Sequence, residues 1–333
     1  MWTGPGNDTV NMERKAGVLA LNRGFVYREQ LDARAGGMTA LEYLAGKYHH
    51  STSEEWRKRL EKGEVLLDGR RAWPETVLHP GRQLAWSRPP WDEPDVPLGY
   101  AVLHRDEDVL AVAKPRGLPC VPAGGFLEHT LFSLVRRRFP DAVPVHRLGR
   151  GTSGVVLFAR THRARSGLCL ALRSRSANKV YRALAAGTVA ADEFTVEVPI
   201  GPVFHPRLGT LHAASASGKH AVSHVRVLER RAGATLLEVR IETGRPHQIR
   251  IHLAAAGHPL AGDPLYLAGG GFGTADAALP GDTGYLLHAE SISLHHPATG
   301  LPLEVWCPPP PELRRSGEMS AGVPGTPGDT RRR

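Results

Sequence analysis

The chain has 333 residues, 41% of them hydrophobic and 23% charged, which suits a globular protein of about two domains with substantial cores. No apolar run reaches the roughly eighteen residues of a membrane-spanning helix. The first residues lack the basic and apolar blocks of a signal peptide, so a cytoplasmic protein is expected. The net charge is +9, and of the 42 basic residues 7 are lysines and 35 are arginines. Arginine's planar fork suits phosphates and stacks on bases, which favours a polyanionic partner, although GC-rich coding produces a similar composition. Cys120, Cys169 and Cys307 are far apart and form no C-x-x-C pair, so reduced thiols are expected rather than ligands or bridges.

In chain order, residues 1–34 read as a loose arm with a short strand near Gly24–Arg28. A compact unit follows over residues 35–88. Thr39 with Glu42, and Thr52 with Glu55, have the spacing of capping boxes and predict two helices, the second stopping at Gly63. Asp68-Gly69 then predicts a hairpin turn. Arg57, Lys58, Arg59, Lys62, Arg70 and Arg71 fall on the outer face of this unit, either as an ordinary solvated face or as a surface for RNA. Residues 89–99 carry four prolines within Pro89–Pro97 and predict a stiff linker.

From Tyr100 the pattern changes to strands, expected at 101–104, 109–113, 155–159, 179–184, 193–198, 221–229, 235–242, 286–289 and 303–306. Helices are expected at 131–139 and 163–175. A tail over 313–333, and the prolines Pro308–Pro311 before it, read as disordered.

Two stretches stand out. Pro144–Gly154 packs His146, Arg147, Arg150, Thr152, Ser153 and three glycines into one loop before a buried apolar strand. That is either a Gly-rich turn or a loop built for close approach to a ligand. Thr243–Ala254 is again dense in cationic and imidazole groups: Arg245, His247, Arg250 and His252. Read as a strand, it places His247 and His252 on opposite faces, which argues against a metal site. Gly-Thr-Ser-Gly is not the G-x-S-x-G elbow of hydrolases, and Ser217–His220 lacks the features of a phosphate loop.

These stretches belong to an ordered set. Lys114-Pro115-x-Gly117-Leu118-Pro119, His146-Arg147-Leu148 with Thr152-Ser153-Gly154, Lys179-x-Tyr181, Thr243-Gly244-Arg245-x-His247-Gln248-Ile249-Arg250-x-His252, Gly262–Tyr266 and Leu287-His288-Ala289 occur in the order of the RluA family of RNA pseudouridine synthases. The resemblance covers about residues 100–312. Residues 35–88, with Glu64-Val65-Leu66-Leu67-Asp68-Gly69, resemble the small RNA-binding domain named after ribosomal protein S-four, a common attachment in that family.

The resemblance implies an α+β fold, with a mixed, mainly antiparallel sheet crossed by a cleft. It implies isomerisation of uridine to pseudouridine in ribosomal or transfer RNA without metal or organic cofactor. Lys114, His146, Arg147, Arg150, Thr152, Arg245, His247 and Gln248 are its expected RNA-binding residues in that domain, and Arg57 and Lys58 those of the small one. Tyr181 resembles the tyrosine that stacks on uracil; otherwise it is a core tyrosine on a strand. Lys114 is either a cleft residue or an exposed strand-end lysine.

One position departs from the pattern. The family has its catalytic aspartate after His-Arg-Leu, and this chain has Gly149, which carries no side chain to act as nucleophile or base. Arg250, the expected ion-pair partner of that aspartate, is left without it. A water-filled pocket, a replacement carboxylate or an RNA phosphate is therefore expected beside Arg250. Asp106, Asp108, Asp141, Glu242 and Asp263 are the possible substitutes. The alternative function is an RNA-binding protein, a chaperone or assembly factor, that retains the cleft without catalysis.

Overall fold

The computed structural model of the chain describes residues 9–10, 21–205, 208–272 and 281–318. The chain divides into two units, Lys15–Glu93 and Met1–Arg14 with Pro94–Arg333.

Strand β1 (Thr9–Val10) belongs to the larger unit. The smaller one comprises β2 (Phe25–Gln30), α1 (Ala40–Lys47), α2 (Ser53–Glu61), β3 (Val65–Leu67), β4 (Arg70–Arg71) and β5 (Gln83–Arg88), with sheet order β2-β5-β3-β4. Both capping boxes form: Thr39 and Thr52 accept the backbone N–H of Glu42 and Glu55, whose carboxylates reach back to the cap N–H groups. Asp68 and Gly69 both take positive φ, 48° and 78°, as a two-residue hairpin turn requires. Leu44, Trp56, Leu60, Val65 and Leu78 fill the core between helices and sheet.

In the larger unit β6 (Tyr100–Arg105), β7 (Val109–Lys114), α3 (Leu131–Arg138), β8 (Val143–Pro144), β9 (Thr152–Ala159), α4 (His162–Arg173), β10 (Asn178–Ala186) and β11 (Glu193–Val196) come first. They are followed by β12 (Ile200–His205), β13 (Gly209–Ala214), β14 (Ser223–Arg231), β15 (Ala234–Ile241), α5 (Gln248–Ala255), β16 (Leu287–His295) and β17 (Pro302–Trp306). The main sheet runs β1-β6-β7-β9-β16-β10-β15-β14-β11, with β8 on β9 and β17 on β16; β12 and β13 form a separate hairpin. Among the described residues only the β9–β16 pairing is parallel, so the fold is α+β around a mixed, mainly antiparallel sheet, as the motifs imply.

The apolar runs alternate between two cores. Leu110, Val112, Val156 and Phe158 face α3, whereas Val109, Ala111, Val155 and Leu157 face α4. With both faces covered, β7 and β9 read as continuous apolar runs.

The parallel junction at mid-sheet aligns the start of β9 with the start of β16, Thr152 opposite Leu287 and Gly154 opposite Ala289. A Cβ on Gly154 would stand 2.1 Å from the Ala289 carbonyl oxygen, and φ there is 111°, so the junction admits only glycine.

Two expectations are corrected. Gln248–Ala255 is a helix, not a strand: Gln248 through Ala254 are all buried, so the segment shows no polar face from which a helical period is legible. Pro308–Leu313 is held in place, with Leu313 buried and its carbonyl accepting from Arg182. The hairpin of β12 and β13 was not anticipated. Most of the expected tail, from residue 319, lies outside the described residues, as do residues 1–8 and 11–20 of the expected arm.

Candidate active site

Four segments far apart in sequence meet at the mid-sheet junction. The loop before β9 and its first residue supply Arg147, Gly149 and Thr152; β10 supplies Tyr181; the turn into α5 and its first residues supply Arg245, His247, Gln248 and Arg250; the approach to β16 and its first residue supply Tyr285 and Leu287. They line a pocket of about 100 Å³. This is below the roughly 300 Å³ at which sites enclose a whole ligand, so it fits one flat group and leaves the remainder outside.

The guanidinium of Arg250 is the electrostatic centre. Its Nε and Nη2 donate to the two carboxylate oxygens of Asp263 at 2.7 and 2.8 Å, and both side chains are buried. Burial pulls the guanidinium pKa down, but the bonds and charge of Asp263 outweigh it, and the net direction is up. Of the expected possibilities for Arg250, then, a carboxylate is present. Asp263 also accepts the backbone N–H groups of Leu265 and Tyr266 and has no exposed side-chain surface, so it serves as a counter-charge rather than a group facing the pocket.

The other proposed substitutes are elsewhere. Asp106 binds His104 and His296, Asp108 binds Thr161 and Arg163, Asp141 pairs with Arg160, and Glu242 pairs with His224.

Tyr181 lines the pocket, and burial pushes its phenol up to about 12, so it stays protonated. His247 begins α5 with left-handed backbone, φ 55°. Tyr266 Oη donates to the His212 carbonyl, so the 2.8 Å contact with His247 Nδ1 is donated by the imidazole. Burial, with Arg250 alongside, pushes His247 down to about 4 and keeps it neutral. Gln248 braces the turn: its Oε1 accepts from Thr243 Oγ1 and Arg245 N–H, and its Nε2 donates to the Val222 carbonyl.

Three site residues expected in this unit do not reach the pocket. Lys114 is buried, and its Nζ donates to the carbonyls of Pro115, Leu118 and Arg150; this clamps the loop from behind, and burial pulls its pKa down to about 8. It lines instead a wider, mainly apolar depression of about 790 Å³ with Ser153, His288 and Pro308. His146 Nε2 accepts the Leu157 N–H, and burial pushes it down to about 4, so it is a neutral brace. Arg150 lies over the ring of Phe126. Arg57 and Lys58 belong to the smaller unit, paired with Glu75 and Glu54.

Tyr285 is the residue that sequence reasoning missed. A Cβ at Gly149 would stand 2.8 Å from the Tyr285 hydroxyl, and one at Gly151 2.8 Å from the ring carbon bearing it. The hydroxyl lies 3.3 Å from Thr152 Oγ1, and the Arg250 guanidinium sits 4.3 Å from the ring centroid. No local motif marks Tyr285; the signal was the pair of glycines flanking Arg150, whose missing side chains make its room.

Fold and sequence both fall within a class of RNA-modifying enzymes. The sequence model described as RNA pseudouridylate synthase matches residues 108–255. A protein of Synechocystis described as an uncharacterized RNA pseudouridine synthase is 42% identical, over 82% of this chain and 94% of its own length. RNA pseudouridine synthase 5 of Arabidopsis thaliana is 38% identical over 82% of this chain and 89% of its own length. Ribosomal large subunit pseudouridine synthase D of Xanthomonas campestris is 37% identical over 83% and 86%. The solved structure of human RNA pseudouridylate synthase domain containing 1 superposes with a TM-score of 0.54 at 26% identity, covering 67% of this chain and 89% of that one. The chain belongs to the RNA pseudouridine synthase family.

Proposed function

We propose that this protein isomerises uridine to pseudouridine in ribosomal or transfer RNA, in the cytoplasm, with the pocket beside Arg250 receiving the base. The carrying observation is convergence. Arg147, Arg245, Arg250 and Tyr181 line one small pocket, suited to a flat base whose ribose and phosphates remain outside. Drawing a uridine out of folded RNA costs a few kcal/mol, and phosphate contacts by Arg147 and Arg245 offset part of that.

Position 149 is read as the family's aspartate position, held here by glycine. The smaller unit is read as an S-four-like RNA-binding domain. Its Lys58, Arg59, Lys62 and Arg88 share a depression with Trp86 and Trp91, a combination of charge and aromatic faces that suits nucleic acid.

The test is mass-spectrometric mapping of pseudouridine in unmodified ribosomal and transfer RNA incubated with the purified protein. New pseudouridine at a defined uridine is expected. Gly149 favours the binding-only reading, under which the same RNA is bound with strong salt dependence and no uridine is converted; that result overturns the enzyme reading.

A further inference from the structure

Resting on the reading above, we propose that Tyr285 is a catalytic residue of this pocket and that its hydroxyl oxygen is the base that removes the uracil C5 proton. Three observations converge on it. Its oxygen occupies the space a side chain at position 149 would enter, 2.8 Å from that Cβ. Gly151 is also bare where a Cβ would meet the Tyr285 ring, so two loop positions make room for one phenol. The phenol is also fixed in direction, by Thr152 Oγ1 at 3.3 Å and by Arg250 across its ring at 4.3 Å.

Its neighbours are less suited. The His247 imidazole is a weak base, and Asp263 is enclosed by Arg250 and two backbone N–H groups.

The reaction balances without a co-reactant. The C1′–N1 bond breaks with its electron pair on N1, and the resulting uracil anion lies beside the Arg250 charge. The base turns, and a ring electron pair at C5 forms the C5–C1′ bond. The C5 proton passes to the Tyr285 hydroxyl oxygen as that hydroxyl releases its own proton to solvent; the C–H pair restores the ring double bond, and N1 gains a proton from solvent. The hydroxyl carries one proton before and after the step, so the protein ends as it began.

The experiment compares the wild-type chain, Tyr285→Phe and Gly149→Asp/Tyr285→Phe on an RNA transcript carrying uridine or 5-deuterouridine. The phenylalanine variant is expected to lose about 10²–10⁴-fold in rate, the usual contribution of a positioned acid–base group, with RNA affinity unchanged. Its deuterium isotope effect should rise above that of the wild type, because C5–H cleavage becomes the slow step. A role in packing alone would leave that effect unchanged. Should the phenylalanine variant make no measurable product, partial return of activity in the double variant supports the proposal. In that variant the hydroxyl obstructing position 149 is gone and a carboxylate stands in its place.

The proposal is overturned if Tyr285→Phe turns over at the wild-type rate. It is also overturned if that variant slows with an unaltered isotope effect, loses rate together with RNA affinity, or is inactive with no recovery in the double variant. A wild-type chain that converts no uridine removes the proposed function and this role together. An active wild type with an unaffected phenylalanine variant removes this role alone.

Discussion

Arg250 and Asp263 illustrate what a single buried charge requires. The two form a bidentate pair away from solvent, each satisfying a charge that burial would otherwise make costly. Asp263→Asn should destabilise the protein by about 3–5 kcal/mol in denaturant titration, because it leaves the guanidinium without its counter-charge. Gly149→Asp alone should cost about 1–3 kcal/mol, since its Cβ overpacks against the Tyr285 hydroxyl. Combined with Tyr285→Phe it should cost markedly less than the two single changes summed, which a double-mutant cycle measures. An aspartate placed at position 149 is therefore expected to be obstructed until the phenol is removed.

At the scale of elements, the loops are held by their ends. The three carbonyls gathered by Lys114 come from two segments, Pro115 and Leu118 on one side and Arg150 on the other. Lys114→Met should remove a donor from the Pro115 and Leu118 carbonyls, while that of Arg150 keeps the Gly117 N–H, and cost about 1–3 kcal/mol, read by the same titration. Helix starts were legible because a capping box is a local event within four residues, as at Thr39 and Thr52. Strand β9 was legible because an unbroken apolar run needs cover on both faces. Helix α5 was not, because burial on all sides erases the period that distinguishes an amphipathic helix from a strand. Arg182 gave no local sign that it would hold the segment after Pro308, since its partners lie more than a hundred residues away.

Across the whole molecule, buried neutral histidines set an acid limit. Burial pushes His146, His247 and His288 each down to about 4. A histidine with a folded-state pKa below its unfolded value of about 6.5 binds protons more readily when unfolded. Its stabilising contribution is complete above pH 6.5 and is lost as pH falls toward 4. The melting temperature should therefore drop steeply between those values, measured by circular dichroism in buffers of constant ionic strength. Under the proposed RNA-binding role of the smaller unit, charge reversal there, Lys58→Glu with Lys62→Glu, should weaken RNA binding and lower its salt slope by about 2. Filter binding across a salt series checks this.

The ordered motifs, the basic composition, the capping boxes and the glycine at 149 were all present in the sequence, because each depends on residue type and short spacing. The partner of Arg250 and the occupant of the space beside Gly149 were decided by tertiary structure. Asp263 lies 13 residues from Arg250 across a turn that no period announces. Tyr285 meets the loop only because β9 and β16 run parallel, with Thr152 opposite Leu287, so that the residues preceding both strands emerge side by side. That register is set by burial on both faces of the sheet and by the close approach at Gly154. Neither can be read from the residues around position 149 or position 285 alone.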